Sequence, residues 1–195
     1  MMSPHFLLLL MTAWAATIPQ RNTSTNEPDF QTGLFDNYSL SEIKWSGFED
    51  FDKDQVFTGT IQDVVDQMRQ IKGSHPNSAQ LTRTTPQKQN IKCGGALANP
   101  FRINEGVSYL HKLPDTAMCT NSPRSCGRIS CSWRSGIYWC NDKDVFSDAY
   151  KCSMFGDYAS LIVKECATWG KSPHVAGVDH DSLNRLGVVV KKAPC

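Results

Sequence analysis

No cysteine precedes Cys93 in this 195-residue chain, and all eight lie between that residue and Cys195. The N-terminal part therefore cannot be cross-linked to itself, and any covalent framework belongs to the C-terminal part. Long apolar runs are lacking too. The nearest approach, Phe6 to Ala16, falls short of the roughly 20 residues that a membrane-spanning helix needs. A charge of one sign is also missing. Against 19 Asp and Glu stand 20 Lys and Arg, and the formal charge of +1 gives no reason to expect nucleic acid or an anionic membrane as partner. Neither the C-x2-C pairs usual in structural zinc sites nor the G-x-S-x-G elbow of serine hydrolases occurs. No metal, cofactor or catalytic residue is assigned on these grounds.

What is present begins with a leader. Phe6 to Ala16 has the length of a secretion-signal core, and Ala13-Trp14-Ala15 offers an A-x-A cleavage site, although no Lys or Arg precedes it. Residues 1–15 read as a signal peptide, so the chain is expected to be secreted and extracellular, without stable membrane insertion. Residues 16–34 are polar and turn-rich, as in a disordered or pro-segment. In a secreted chain the sequons at Asn22 and Asn37 are candidate glycosylation sites.

Residues 35–90 form a cysteine-free extension. The stretch 35–54 mixes aromatics with acids and suits one strand. Ile61, Val64, Val65, Met68 and Ile71 recur on one helical face, which predicts a helix over about 60–72, capped by Thr60 and stopped by Gly73. Ser74 to Asn90, with Pro76 and Pro86, reads as a linker.

Residues 91–195 form the stapled domain. A short strand ends at Cys93-Gly94-Gly95, and Asn99-Pro100 opens a helix that Pro114 stops. Residues 115–125 read as a polar loop. Arg128 to Cys140 alternates as one strand, with Ile129, Cys131, Trp133, Ile137 and Trp139 on one parity and Tyr138 and Cys140 on the other. Met154 to Trp169 reads as a second helix with Gly170 as its stop, and Leu186 to Val190 as a β-branched closing strand. The order predicts an α+β sandwich: a small antiparallel sheet, with two helices packed on it, that borrows an element from residues 35–72.

Eight cysteines (Cys93, Cys119, Cys126, Cys131, Cys140, Cys152, Cys166 and Cys195) behind a secretion signal indicate disulfides rather than metal, with 105 pairings open to them. On an unbroken strand, Cys131 and Cys140 face opposite sides and reach different partners, while Cys166 near a helix end can close onto a strand. Trp133, Arg134, Tyr138 and Trp139 are the candidate binding surface. His174, Asp179, His180 and Asp181 cluster in an expected loop, where imidazole and carboxylate would suit a general-base site, but the flanking Gly and Pro favour a plain connection. His111, His180, Glu105, Arg128 and Arg134 supply the residue types of a secreted nuclease, by fold-level analogy alone.

The run Ser125 to Asp142, SCGRISCSWRSGIYWCND, resembles the C-x-R-[VI]-S-C-S segment and aromatic Cys-Asn-Asp strand of a group of small secreted fungal proteins. Cys93-Gly94-Gly95, the helix at Glu105–Leu110, Asp157–Cys166 and Val188–Cys195 fit the same pattern. The group is similar to effector-like proteins of plant-associated fungi, including necrosis-inducing effectors, and more distantly to virally encoded killer toxins with an α/β sandwich. The resemblance spans residues 91–195, implies that Cys119 and Cys152 form a pair added to a six-cysteine core, and assigns no catalytic residue. It implies a secreted, monomeric effector or toxin-like protein that binds an unidentified protein or cell-surface target of a host or competitor. A small secreted hydrolase and a wall-associated structural or self-protective protein are the alternatives.

Overall fold

A computed structural model describes Phe35, residues 37–72 and residues 90–195. The expected signal peptide, the polar segment 16–34, Asn22, Gly73 and most of the linker lie outside the described residues. Among those described, ten strands and three helices follow in order. They are β1 (Ser39–Ser41), β2 (Lys44–Ser46), β3 (Phe57–Thr58), α1 (Ile61–Lys72), β4 (Ile91–Ala98), α2 (Pro100–His111), β5 (Met118–Thr120), β6 (Ser125–Ser132), β7 (Ser135–Asn141), β8 (Tyr150–Lys151), α3 (Met154–Cys166), β9 (Val175–Asp181) and β10 (Leu186–Lys192).

The helices follow from local chemistry. Thr60 and Asp63 cap α1 reciprocally: the Thr60 amide donates to Asp63 Oδ2 at 2.8 Å, and the Asp63 amide to Thr60 Oγ1 at 3.3 Å. Ile61, Val64, Val65 and Met68 are buried, but Ile71, expected on the same face, is exposed. Asn99 caps α2 by accepting from the Phe101 amide at 2.9 Å, with Pro100 at the first helical position. α3 ends at Cys166, three residues short of the expected Trp169, and buries Phe155, Tyr158, Ala159, Ile162 and Val163.

The sheet is larger than the sequence suggested. Six strands run in the order β1-β6-β7-β10-β9-β4, with β1 parallel to β6 and the other pairs antiparallel. A second sheet has the order β3-β2-β5-β8, so the stretch 35–54 supplies two strands and the expected loop 115–125 holds another. The fold is thus mixed α/β: the six-stranded sheet is not purely antiparallel, and the extra helix expected over about 60–72 joins the two others in the core. Ile43, Trp45, Phe57, Val64 and Met68 pack in the same cluster as Ile103, Trp139, Phe155, Ile162 and Val188, so residues 43–68 share the core of the stapled domain.

Arg128–Cys140 is not one strand but a hairpin, turning at Trp133-Arg134. His174–Asp181 is not a loop: Val175–Asp181 is a strand between β4 and β10.

In the hairpin, Cys131 pairs with Gly136 and Cys126 with Cys140, and the register shifts between Arg128 and Ser130. Residues paired across a hairpin share a face, so Cys131 and Cys140 lie on the same side, against the parity argument. The bulge matters just as much. Without its extra residue Gly127, not Cys126, would oppose Cys140. Gln62 of α1 attends the bulge, donating to Ser130 Oγ at 2.9 Å and accepting from the Cys131 amide at 3.2 Å.

If residues 43–68 belong to this core, Met68→Ala should lower the unfolding free energy by about 2–5 kcal/mol. Ile71→Ala, one turn on but exposed, should change it by less than about 0.5 kcal/mol. Denaturant unfolding of the oxidised protein measures both, and equal small effects would detach α1 from the core.

Candidate functional site

All eight cysteines are paired. Cys93–Cys166 ties β4 to the end of α3, and Cys119–Cys152 joins β5 to the residue two before α3. Cys126–Cys140 crosses the hairpin between directly opposed residues, and Cys131–Cys195 fastens the last residue to β6. Four disulfides are the bonding of a chain that folds under oxidising conditions, as in extracellular compartments.

Along the sheet, one face carries Ile129, Ile137, Trp139, Val188 and Val190 under the helices. The other carries Cys126, Cys131, Tyr138, Cys140, Val178 and Val189, closed by Phe35 and Ala193. Tyr138 and Trp139 are both fully buried, on opposite faces, which removes them from any binding surface. Trp139 stacks on Phe155 with ring centroids 4.4 Å apart, while Lys191 lies over the Tyr138 ring at 5.2 Å.

The histidine cluster is divided by the same alternation. On β9, Asp181 accepts from Tyr158 Oη of α3 at 2.7 Å, on the helix side. His180 lies on the other side, against Phe35 and 3.5 Å from Asp142. His174 is occupied by Thr168 and the Ser172 carbonyl. The nuclease-type residues are scattered too. His111 pairs with Asp157 at 2.9 Å between the helices, Glu105 pairs with Arg102 at 2.6 Å, and Arg128 donates to the Pro194 carbonyl. A cleft of about 280 Å³ carries Glu42, Asp63 and Arg128. There Asp63 is engaged in capping and Arg128 with Pro194, so no convergent acid–base set forms. Among the described residues no group of three or more His, Cys, Asp or Glu is placed to hold a metal ion.

Most of the run Ser125–Asp142 builds the fold. Asn121 donates to the Trp139 carbonyl at 2.9 Å and Asn141 to the Ser122 and Val145 carbonyls at 3.0 Å, a buried knot where the two sheets meet. Asp142 pairs with Arg124 at 2.7 Å and accepts from Tyr38 Oη, and Arg124 also covers the Tyr38 ring. Within the run, the exposed residues are Trp133 and Arg134. Both hold left-handed backbone, at φ 50° and 60°, as the central pair of a two-residue hairpin turn. That geometry favours Asn-Gly, and a non-glycine residue there costs roughly 1–2 kcal/mol. This strain falls at a tip whose tryptophan is 76 % exposed.

Trp133 is not isolated. The Arg102 guanidinium lies over its ring at 5.0 Å, the Asn99 amide donates to Ser135 Oγ at 3.1 Å, and Phe101 meets Trp169 edge-to-face at 5.6 Å. Leu97, Phe101, Trp133 and Trp169 are each more than half exposed. The hairpin tip, the start of α2 and the residues after α3 thus make one exposed aromatic end. Phe101, Arg102, Leu97 and Trp169 escaped the sequence reading because each sits at or beyond an element boundary, where periodicity carries no information. Asn37 is exposed and so accessible as a glycosylation acceptor.

Compared with protein-family models, curated proteins and solved structures, the chain matches none. Its fold and bonding define a disulfide-stapled α/β protein in which Phe101, Trp133 and Trp169 are exposed at one end.

Two predictions follow from this geometry. Replacing the tip with Trp133→Asn and Arg134→Gly should raise the unfolding free energy by about 1–2 kcal/mol. Unfolding in denaturant would show this, and a loss of stability would mean that the tip is not strained. The second concerns pH. Burial alone would push the Asp181 carboxyl up, but hydrogen bonds from Asn184, Tyr158 and Leu183 outweigh it and hold it below the ordinary range. Its contribution is present above about pH 4 and lost as pH falls through the folded value. Burial and then Asp142 push Tyr38 up to about 12, and burial with Asp181 pushes Tyr158 up as well. Their contributions are present below about pH 10 and fade as pH rises toward the folded values. Stability should therefore fall on both sides of a plateau, and Tyr38→Phe should flatten the alkaline limb measured by unfolding at a series of pH values.

Proposed function

We propose that this is a secreted, cysteine-rich, effector or toxin-like protein that binds a host or competitor target through its aromatic end. The observation that carries this reading is the hairpin tip. Across Ser125–Asp142 the buried residues are engaged in disulfides, core or polar knots, and Trp133 and Arg134 are the two turned outward. Exposed tryptophan and arginine are the residue types that dominate binding hot spots, because they offer large contact area with directional hydrogen bonding. The resemblance of the same run to secreted fungal effectors supplies the biological setting. Four disulfides suit a protein that must survive outside a cell.

The hydrolase alternative needs histidine, carboxylate and arginine to converge. His111 sits in the helix layer and His180 on the opposite side of the sheet, so the geometry favours binding over hydrolysis.

Oxidised protein applied to leaf tissue and to competitor cultures, beside a reduced and alkylated control, should cause cell death or growth arrest in at least one. The Trp133→Asn, Arg134→Gly variant should lose that response while remaining at least as stable as the parent. A variant as active as the parent would overturn this assignment of the binding end.

A further inference from the structure

The net charge of +1 conceals an uneven distribution. At the end of the molecule away from the aromatic patch, Arg124 and Arg185 are matched by Asp142 and Asp144, and Lys143 by Asp148. At the aromatic end the balance differs. Arg134 sits at the tip, Lys192 pairs in register with Ser135 beside it, and Lys171 follows Trp169 by two residues. Among the described residues no carboxylate pairs with any of these three. Glu105, the acid one turn into α2, is taken up by Arg102, which itself lies over the Trp133 ring.

We infer that this end docks on the anionic head-group layer of a phospholipid bilayer. The inference rests on the reading above that the aromatic end is the working surface, and it names what that surface meets first. Tryptophan prefers the membrane–water boundary, where its ring is buried among head groups and its N–H stays solvated. Trp133, Phe101, Trp169 and Leu97 provide such a wedge from three separate segments. Arg134, Lys171 and Lys192 add cations around it, each strengthening attachment to an anionic surface. Cys93–Cys166 and Cys131–Cys195 anchor the segments beside the wedge, so docking requires little ordering of the protein. No described helix is long and apolar enough to cross a bilayer, which makes the contact peripheral. The shape also chooses between anionic polymers and a surface. Single-stranded nucleic acid is held by stacking along a groove, whereas these side chains project from a tip and are more than half exposed.

Vesicle co-sedimentation of the full oxidised chain tests this, with phosphatidylcholine vesicles compared against vesicles that also contain phosphatidylserine. Binding should require phosphatidylserine, shift tryptophan emission to the blue and weaken as salt is raised. Arg134→Ala and Lys192→Ala should each lower partitioning about fivefold, and Trp133→Ala at least as much. Lys151→Ala, beside the opposite helix ends, should leave it unchanged. Absence of binding to phosphatidylserine vesicles, equal binding to phosphatidylcholine alone, or tighter binding to a single-stranded oligonucleotide would overturn the inference. The two readings separate on the tip variant. If the parent ignores the vesicles but the variant loses the tissue or culture response, target binding stands and the lipid inference falls. If the variant loses vesicle binding yet keeps the response, the lipid inference stands and the proposed function falls.

Discussion

The register of the β6–β7 hairpin is the constraint on which the rest of the structure depends. One extra residue between Arg128 and Ser130 sets Cys126 opposite Cys140 and leaves Cys131 on the same face, free to reach Cys195. The same register sends Trp139 under the helices and Tyr138 to the opposite face. A slip by one residue would exchange every one of these positions. The bulge is held from outside the hairpin by Gln62, whose amide group satisfies the Cys131 N–H and Ser130 Oγ. A residue of the cysteine-free extension thus helps to fix the disulfide pattern of the cysteine-rich domain.

The two faces of the sheet are closed by different means. The helix side buries a large apolar cluster that includes Trp45, Trp139 and Phe155. Among the described residues no helix packs on the other side. Phe35 covers Gly187, where a Cβ would come within 2.2 Å of its ring, and two disulfides with the C-terminal residues cover much of the remainder. A thin apolar layer of this kind yields little burial, and covalent links that restrict the unfolded chain compensate, typically by about 2–4 kcal/mol each. Cys131–Cys195 also holds the tail where Arg128 reaches the Pro194 carbonyl and the Ala193 amide reaches the Arg134 carbonyl.

The helices were legible in the sequence because an amphipathic stripe under a layer of side chains leaves its period in the chain. Thr60, Asn99 and Pro100 mark their starts as capping chemistry dictates. The strands were less so. β2, β3, β5 and β8 are two or three residues long, too short for alternation to register. β9 was hidden because Asp179 and Asp181 point toward the core, where the Asn90 amide donates to Asp179 Oδ1 and Tyr158 and Asn184 donate to Asp181, and a polar inward face reads as a loop. The hairpin was hidden for the reason that makes it informative: Trp-Arg stands where turn chemistry leads one to expect Asn-Gly. Of the four candidate binding residues, Trp133 and Arg134 are exposed, and Tyr138 and Trp139 are core.

Arg124 and Arg185 also hold left-handed backbone, but Trp133 and Arg134 are the two consecutive non-glycine residues that do so. In α1 and α2, by contrast, propensity, caps and burial agree, as expected of a sequence whose local preferences match its fold. At the tip, two residues adopt backbone that neither favours, and the larger of them is displayed to solvent. The conformation persists because its surroundings over-determine it. Cys131 is bonded two residues before Trp133, Ser135 accepts from the Asn99 amide, and Arg134 accepts from Ala193. A strained loop on a mobile support would relax, whereas one held on three sides retains its shape. Under the proposed function, pre-organisation of that kind would lower the entropy lost when the tip meets a partner, so the disulfide framework would serve binding as well as durability.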